Sequence, residues 1–172
     1  EGGSTVDSQN SDATQEAVGG IAVGGTHVCA VTPAATVKCW GGNSSGQTGG
    51  GIPFDAGDTA IVATPRAVAG LSKVSSLASG YDYSCAVSNG SVWCWGNNFV
   101  GQLGNGTKDK TSTPVKVVGI SDAVSVRSGN NFACAVRSGG QVSCWGNNAS
   151  GQLGNDTKNS ASIPVAVKGL TD

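Results

Sequence analysis

One pattern, Cys-x8–9-Cys-Trp-Gly-x-Asn followed by Gly-Gln-x-Gly, recurs three times and constrains this chain more than any other feature. It stands at Cys29…Cys39-Trp40-Gly41, Cys85…Cys94-Trp95-Gly96 and Cys134…Cys144-Trp145-Gly146. The loops that follow are Gly46-Gln47-Thr48-Gly49, Gly101-Gln102-Leu103-Gly104 and Gly151-Gln152-Leu153-Gly154. A unit this short cannot bury its own hydrophobic face, so the copies must stack on one another.

Each unit opens on a short apolar segment ending in Gly24, Gly80 or Gly129, with His27, Tyr83 or Phe132 three residues later. Then comes Cys-Ala-Val, a turn, a second short segment ending in Cys-Trp-Gly, a Gly/Asn/Gln loop, and a last segment entered through Pro65, Pro114 or Pro164. The segments are short and rich in β-branched residues, with Gly and Pro between them. Helical periodicity is missing. The expectation is an all-β chain with one small antiparallel sheet per repeat.

The turns fix the register. Asn89-Gly90 is the favoured two-residue type I′ hairpin loop. Counting outward from it places Cys85 opposite Cys94 in a non-hydrogen-bonded pair, where Cα atoms lie about 4.5 Å apart. That separation suits a disulfide. Ser138-Gly139-Gly140 and Pro33-Ala34-Ala35, read as loops, set Cys134 opposite Cys144 and Cys29 opposite Cys39. Three disulfides within repeats are therefore expected; the alternative is three pairs of reduced core cysteines. Zinc spacing of the Cys-x-x-Cys kind does not occur, and His27 is the single histidine.

With these residues in view, the chain resembles the regulator of chromosome condensation repeat family. The resemblance rests on Gly80-x-x-Tyr83-x-Cys85-Ala86-Val87, Gly90-x-Val92-x-Cys94-Trp95-Gly96-x-Asn98, Gly101-Gln102-Leu103-Gly104 and Pro114-x-x-Val117, with their counterparts in the other repeats. It implies a β-propeller of four-stranded blades, and roles that are mostly binding: exchange-factor activity on a small GTPase, inhibition of secreted enzymes, or extracellular interaction. The cysteines look like a secreted bacterial branch. The first repeat departs from the pattern: Thr48 replaces the Leu, and Trp40 lies 25 residues before Pro65 where the other repeats have 19. The family usually closes a ring of roughly seven blades, whereas this chain holds three repeats, an incomplete, open propeller. The organisation expected is a tail or arm over 1–17 and blades over 18–71 (with a longer loop at 50–58), 72–120 and 121–172.

Charged residues make up 12% of the chain and the net charge is −1. A nucleic-acid partner needs a basic stripe that these scattered cations do not form. No segment is long and apolar enough to span a bilayer, and the first residues lack the apolar core of a signal peptide. The expected location is extracellular or cell surface, with a processed N-terminus.

No catalytic constellation assembles. His27 occupies the place of Tyr83 and Phe132, which suits packing. Asp55 and Asp58 do not make a calcium loop, so no metal, cofactor or catalytic residue is expected. Trp40, Trp95 and Trp145 recur and suit packing between blades. Tyr81, Trp93, Phe99 and Phe54 do not recur, so they are the candidates for a contact surface. Five glycosylation sequons start at Asn43, Asn89, Asn105, Asn148 and Asn155, all in expected loops. The function expected is a non-enzymatic extracellular scaffold that joins copies of itself through its blade ends, as ring or filament. The alternative is a fragment or subunit of a binding propeller that recognises or inhibits another protein.

Overall fold

A computed structural model describes residues 19–52 and 60–170. The expected tail (1–17), Phe54, Asp55 and Asp58 lie outside the described residues. Among those described, every regular element is a strand. The first sheet holds β1 (Gly20–Val23), β2 (His27–Val31), β3 (Val37–Gly42) and β4 (Ile61–Val68). The second holds β5 (Val74–Ser79), β6 (Tyr83–Ser88), β7 (Ser91–Gly96) and β8 (Thr111–Lys116). The third holds β9 (Ala123–Ser128), β10 (Phe132–Arg137), β11 (Val142–Gly146) and β12 (Ala161–Ala166). Each is a four-stranded antiparallel meander in chain order.

Local chemistry explains the strand order. Asn89 and Gly90 both take positive φ, 50° and 74°, as a type I′ turn requires. That turn sets Ser88 against Ser91 and Cys85 against Cys94. Cys29 likewise faces Cys39, and Cys134 faces Cys144. All three pairs are disulfides, with Cα atoms 4.0–4.1 Å apart. Pro65, Pro114 and Pro164 fall on β4, β8 and β12, which are edge strands and tolerate a missing donor. The glycine after each Trp marks a register shift toward that edge strand. A Cβ on Gly96 would meet the Asp82 carbonyl at 2.5 Å, so only glycine lets the two backbones approach this closely.

Strand alternation gives each sheet two unlike faces. In the second sheet, Cys85, Val87, Val92 and Cys94 share one face, while Ala86, Trp93 and Trp95 share the other. The sheets stack so that the cysteine face of one meets the tryptophan face of the next. Val31, Val37, Val68 and Leu71 of the first blade pack with Ala86 and Trp95 of the second, alongside the first disulfide. Val87, Val92, Val117 and Ile120 of the second pack with Ala135 and Trp145 of the third. β5 lies beside both β1 and β9, forming the inner strands of adjacent blades.

Candidate interaction surface at the blade joints and end faces

The polar part of each joint is as regular as the apolar part. Trp95 Nε1 donates to the Gln47 carbonyl at 2.9 Å, and Trp145 Nε1 donates to the Gln102 carbonyl at 2.9 Å. Gln47 Nε2 reaches Asp82 Oδ1, and Gln102 Nε2 reaches Asn131 Oδ1, both at 3.4 Å. Main-chain bonds repeat too: Gly25 N–H to the Tyr81 carbonyl and Tyr81 N–H to the Asn130 carbonyl, both 3.0 Å. On the outer side, Gly51 N–H donates to Ser112 and Gly106 N–H to Ser162, both at 2.9 Å. The recurring Gln therefore serves through its carbonyl, a role the sequence pattern did not disclose. The available signal was the constant offset between that Gln and the preceding Trp.

The loop holding each Gln is organised by the recurring Asn. Asn98 Oδ1 accepts from Leu103 N–H at 2.9 Å, while its Nδ2 faces oxygens of Asn105, Thr107 and Asp109 at 3.1–3.3 Å. Asn148 repeats this set with Leu153, Asn155, Thr157 and Asn159. Asn43 accepts from Thr48 N–H at 3.1 Å.

The five sequon asparagines differ in exposure. Asn43 and Asn148 are buried. A glycan is attached through Nδ2, and the Asn148 Nδ2 is already enclosed by loop oxygens. In the folded chain these two side chains are turned into the loops that they organise. Asn89 is exposed, and Asn105 and Asn155 are half-buried.

Among the described residues, the candidate contact aromatics fall in two places. Tyr81 and Phe99 are exposed and belong to one end of the second blade. There Asn97 N–H bonds the Asp82 carbonyl at 2.9 Å, and Phe99 N–H bonds Asn97 Oδ1 at 3.0 Å. Trp93 lies elsewhere. It is half-buried against the first joint, because strand alternation puts it on the same face as Trp95. Lys38 and Ser143 are its counterparts in the neighbouring blades.

His27 is fully buried, and its Nε2 lies 2.7 Å from Ser84 Oγ across the first joint. Burial lowers its pKa from 6.5 to about 4. Ser84 is buried as well and lies 3.1 Å from Ser79 Oγ, so the His–Ser pair is packed inside the joint. Tyr83 plays the equivalent role in the second joint, its hydroxyl donating to the Phe132 carbonyl. Partial burial raises the Asp82 pKa. Among the described residues, no three His, Cys, Asp or Glu side chains gather to hold a metal ion.

The outer blades each leave one face without a blade against it among the described residues. On the third blade, Leu170 is 59% exposed, where its counterpart Ile120 is 2% exposed. On the first, Ile21 is 65% exposed, where its counterpart Val126 is fully buried. Trp40 is half-buried, whereas Trp95 and Trp145 are fully buried.

Four-stranded antiparallel blades, stacked face to face with their inner strands adjacent, define a propeller repeat protein. The chain belongs to the regulator of chromosome condensation (RCC1) repeat family, whose models match residues 20–47, 74–102 and 123–152, and again 89–136 and 139–172. Human E3 ubiquitin-protein ligase HERC2 is 38% identical over 94 residues, covering 52% of this chain and 2% of that protein. The fold resembles human WBSCR16, with TM-score 0.75 and 23% identity over 90% of this chain and 40% of that one. It also resembles yeast RCC1 (Prp20), solved bound to Kap60, with TM-score 0.76 and 24% identity over 88% of this chain and 37% of that one. The chain thus spans well under half the length of these relatives.

Proposed function

We propose that this chain is a non-enzymatic extracellular scaffold of the secreted type that assembles with copies of itself through its two outer blade faces. The observation that carries this reading is the pair of unlike apolar faces at opposite ends, marked by Ile21 and Leu170. Each resembles a face that is buried in an internal joint. Joining one type to the other is a heterologous contact, which yields a ring if it closes and a filament if it does not. Three disulfides agree with an oxidising compartment. The single histidine is spent on a blade joint, so the chain offers no accessible imidazole to act as a base.

A second reading is favoured by the chain's short span relative to its relatives: these blades are part of a larger binding propeller that recognises another protein, as yeast RCC1 (Prp20) does Kap60. Tyr81 and Phe99, exposed on one end of the second blade, are the surface offered to such a partner. Size-exclusion chromatography with light scattering, followed by negative-stain imaging, separates the readings. Rings or filaments support the scaffold. A monomer at every concentration rejects it and leaves the binding propeller.

A further inference from the structure

We infer that self-association, if it occurs as proposed above, is polar: the cysteine face of the third blade seats on the tryptophan face of the first blade of a second copy. The argument rests on the two internal joints, which state what a joint in this protein requires. Each needs a patch of four aliphatic side chains on one side and an inner-strand aliphatic plus a Trp on the other. The third blade carries that patch as Val136, Val142, Val167 and Leu170, at the positions of Val87, Val92, Val117 and Ile120. The first blade carries Ile21 and Trp40 at the positions of Val126 and Trp145. Neither end offers a match to itself, because each supplies only one half of the joint.

The loop and its seat are both open. In the internal joints, a Cβ on Gly46 would meet Ser112 Cα at 2.8 Å, and one on Gly101 would meet Ser162 Cα at 2.6 Å. Gly151, the third member of this series, meets nothing within 4 Å. The corresponding seat is a groove on the first blade lined by Thr26, Gly41, Gly42 and Ile61, next to Ala63. In the second joint, Gln102 Cα lies 3.2 Å from the Cβ position of Gly146, the counterpart of Gly41. The groove therefore matches the place where a Gly-Gln-Leu-Gly loop docks.

Transferring the internal bonds gives the contacts of the new joint. Trp40 Nε1 of the second copy donates to the Gln152 carbonyl. Gln152 Nε2 reaches the Thr26 hydroxyl of the second copy, which replaces the Asp82 and Asn131 acceptors. Asp156 holds the positive φ of Gly51 and Gly106, 62° against 68° and 87°, and its N–H is placed to donate to the Ala63 carbonyl of the second copy. Lys38 stands on the receiving face where Ser143 stands in the second joint, and its long stem allows the ammonium to reach water at the rim.

The test uses two full-length variants, each blocked at one end. Ile21→Glu charges the tryptophan face and Leu170→Glu charges the cysteine face. Both residues are exposed within one chain, so the fold is retained, as circular dichroism and intact disulfides will verify. Light scattering should find each variant monomeric alone. An equimolar mixture should give a one-to-one dimer, because one intact face of each type remains. If each variant still forms dimers alone, like faces pair with like and the polar joint is wrong, although self-association stands. If the unaltered protein is monomeric throughout, both the joint and the scaffold reading fail.

Discussion

At the scale of single residues, two buried polar side chains are under strong constraint. Asn98 satisfies one backbone N–H through its oxygen and several loop oxygens through its nitrogen. Asn98→Ala strands those groups inside the loop, at a cost of about 2–4 kcal/mol. Thermal unfolding should show a clear fall in Tm, and Asn98→Asp should not rescue it, because a carboxylate cannot donate to the carbonyls of Thr107 and Asp109. His27 gives a pH signature. Its folded pKa, about 4, lies below its ordinary 6.5, so the unfolded chain takes up the proton first. The contribution is fully present above about pH 6.5 and is lost as pH falls toward 4, by about 3 kcal/mol. His27→Tyr places the second blade's own residue at that position, so its stability should be flatter between pH 6.5 and 4. Equal pH curves for both proteins would show that His27 does not set this dependence.

At the scale of elements, the hairpins are stapled units. Each disulfide closes a loop of about ten residues, worth roughly 2–3 kcal/mol on the chain-entropy account. Mass spectrometry after alkylation without reduction should find no free thiol. The pairs differ in access: Cys29, Cys39, Cys85 and Cys94 are fully buried within joints, while Cys134 is half-buried on the outer face of the third blade. In the dissociated chain, mild reductant should therefore open Cys134–Cys144 before the other two. Simultaneous reduction of all three would show that burial in the joints does not protect the bonds. Hairpin register was legible in the sequence because Asn89-Gly90 admits one turn type and alternation does the rest. The role of Trp93 was not legible. Its lack of a counterpart resembled a surface feature, yet its face was already fixed by Trp95 two residues away. The burial of Asn43 and Asn148 was missed for a related reason: a sequon reads as exposed loop, and only the folded loop shows its Asn turned inward.

At the scale of the whole molecule, the account reduces to one repeated joint. Twice within the chain it buries valines, a Trp and a Gln main chain. At each end one half of it stays exposed among the described residues. Full burial of a Leu or Ile side chain contributes about 1.5–3 kcal/mol, so covering Ile21 and Leu170 together favours association appreciably. The low net charge, −1, offers little self-repulsion against it. Side-chain oxidative footprinting over a range of protein concentrations tests this most directly. Ile21, Trp40 and Leu170 should lose reactivity as concentration rises, while Tyr81 and Phe99, away from both end faces, keep theirs. Reactivity at Ile21, Trp40 and Leu170 that is independent of concentration would contradict the account.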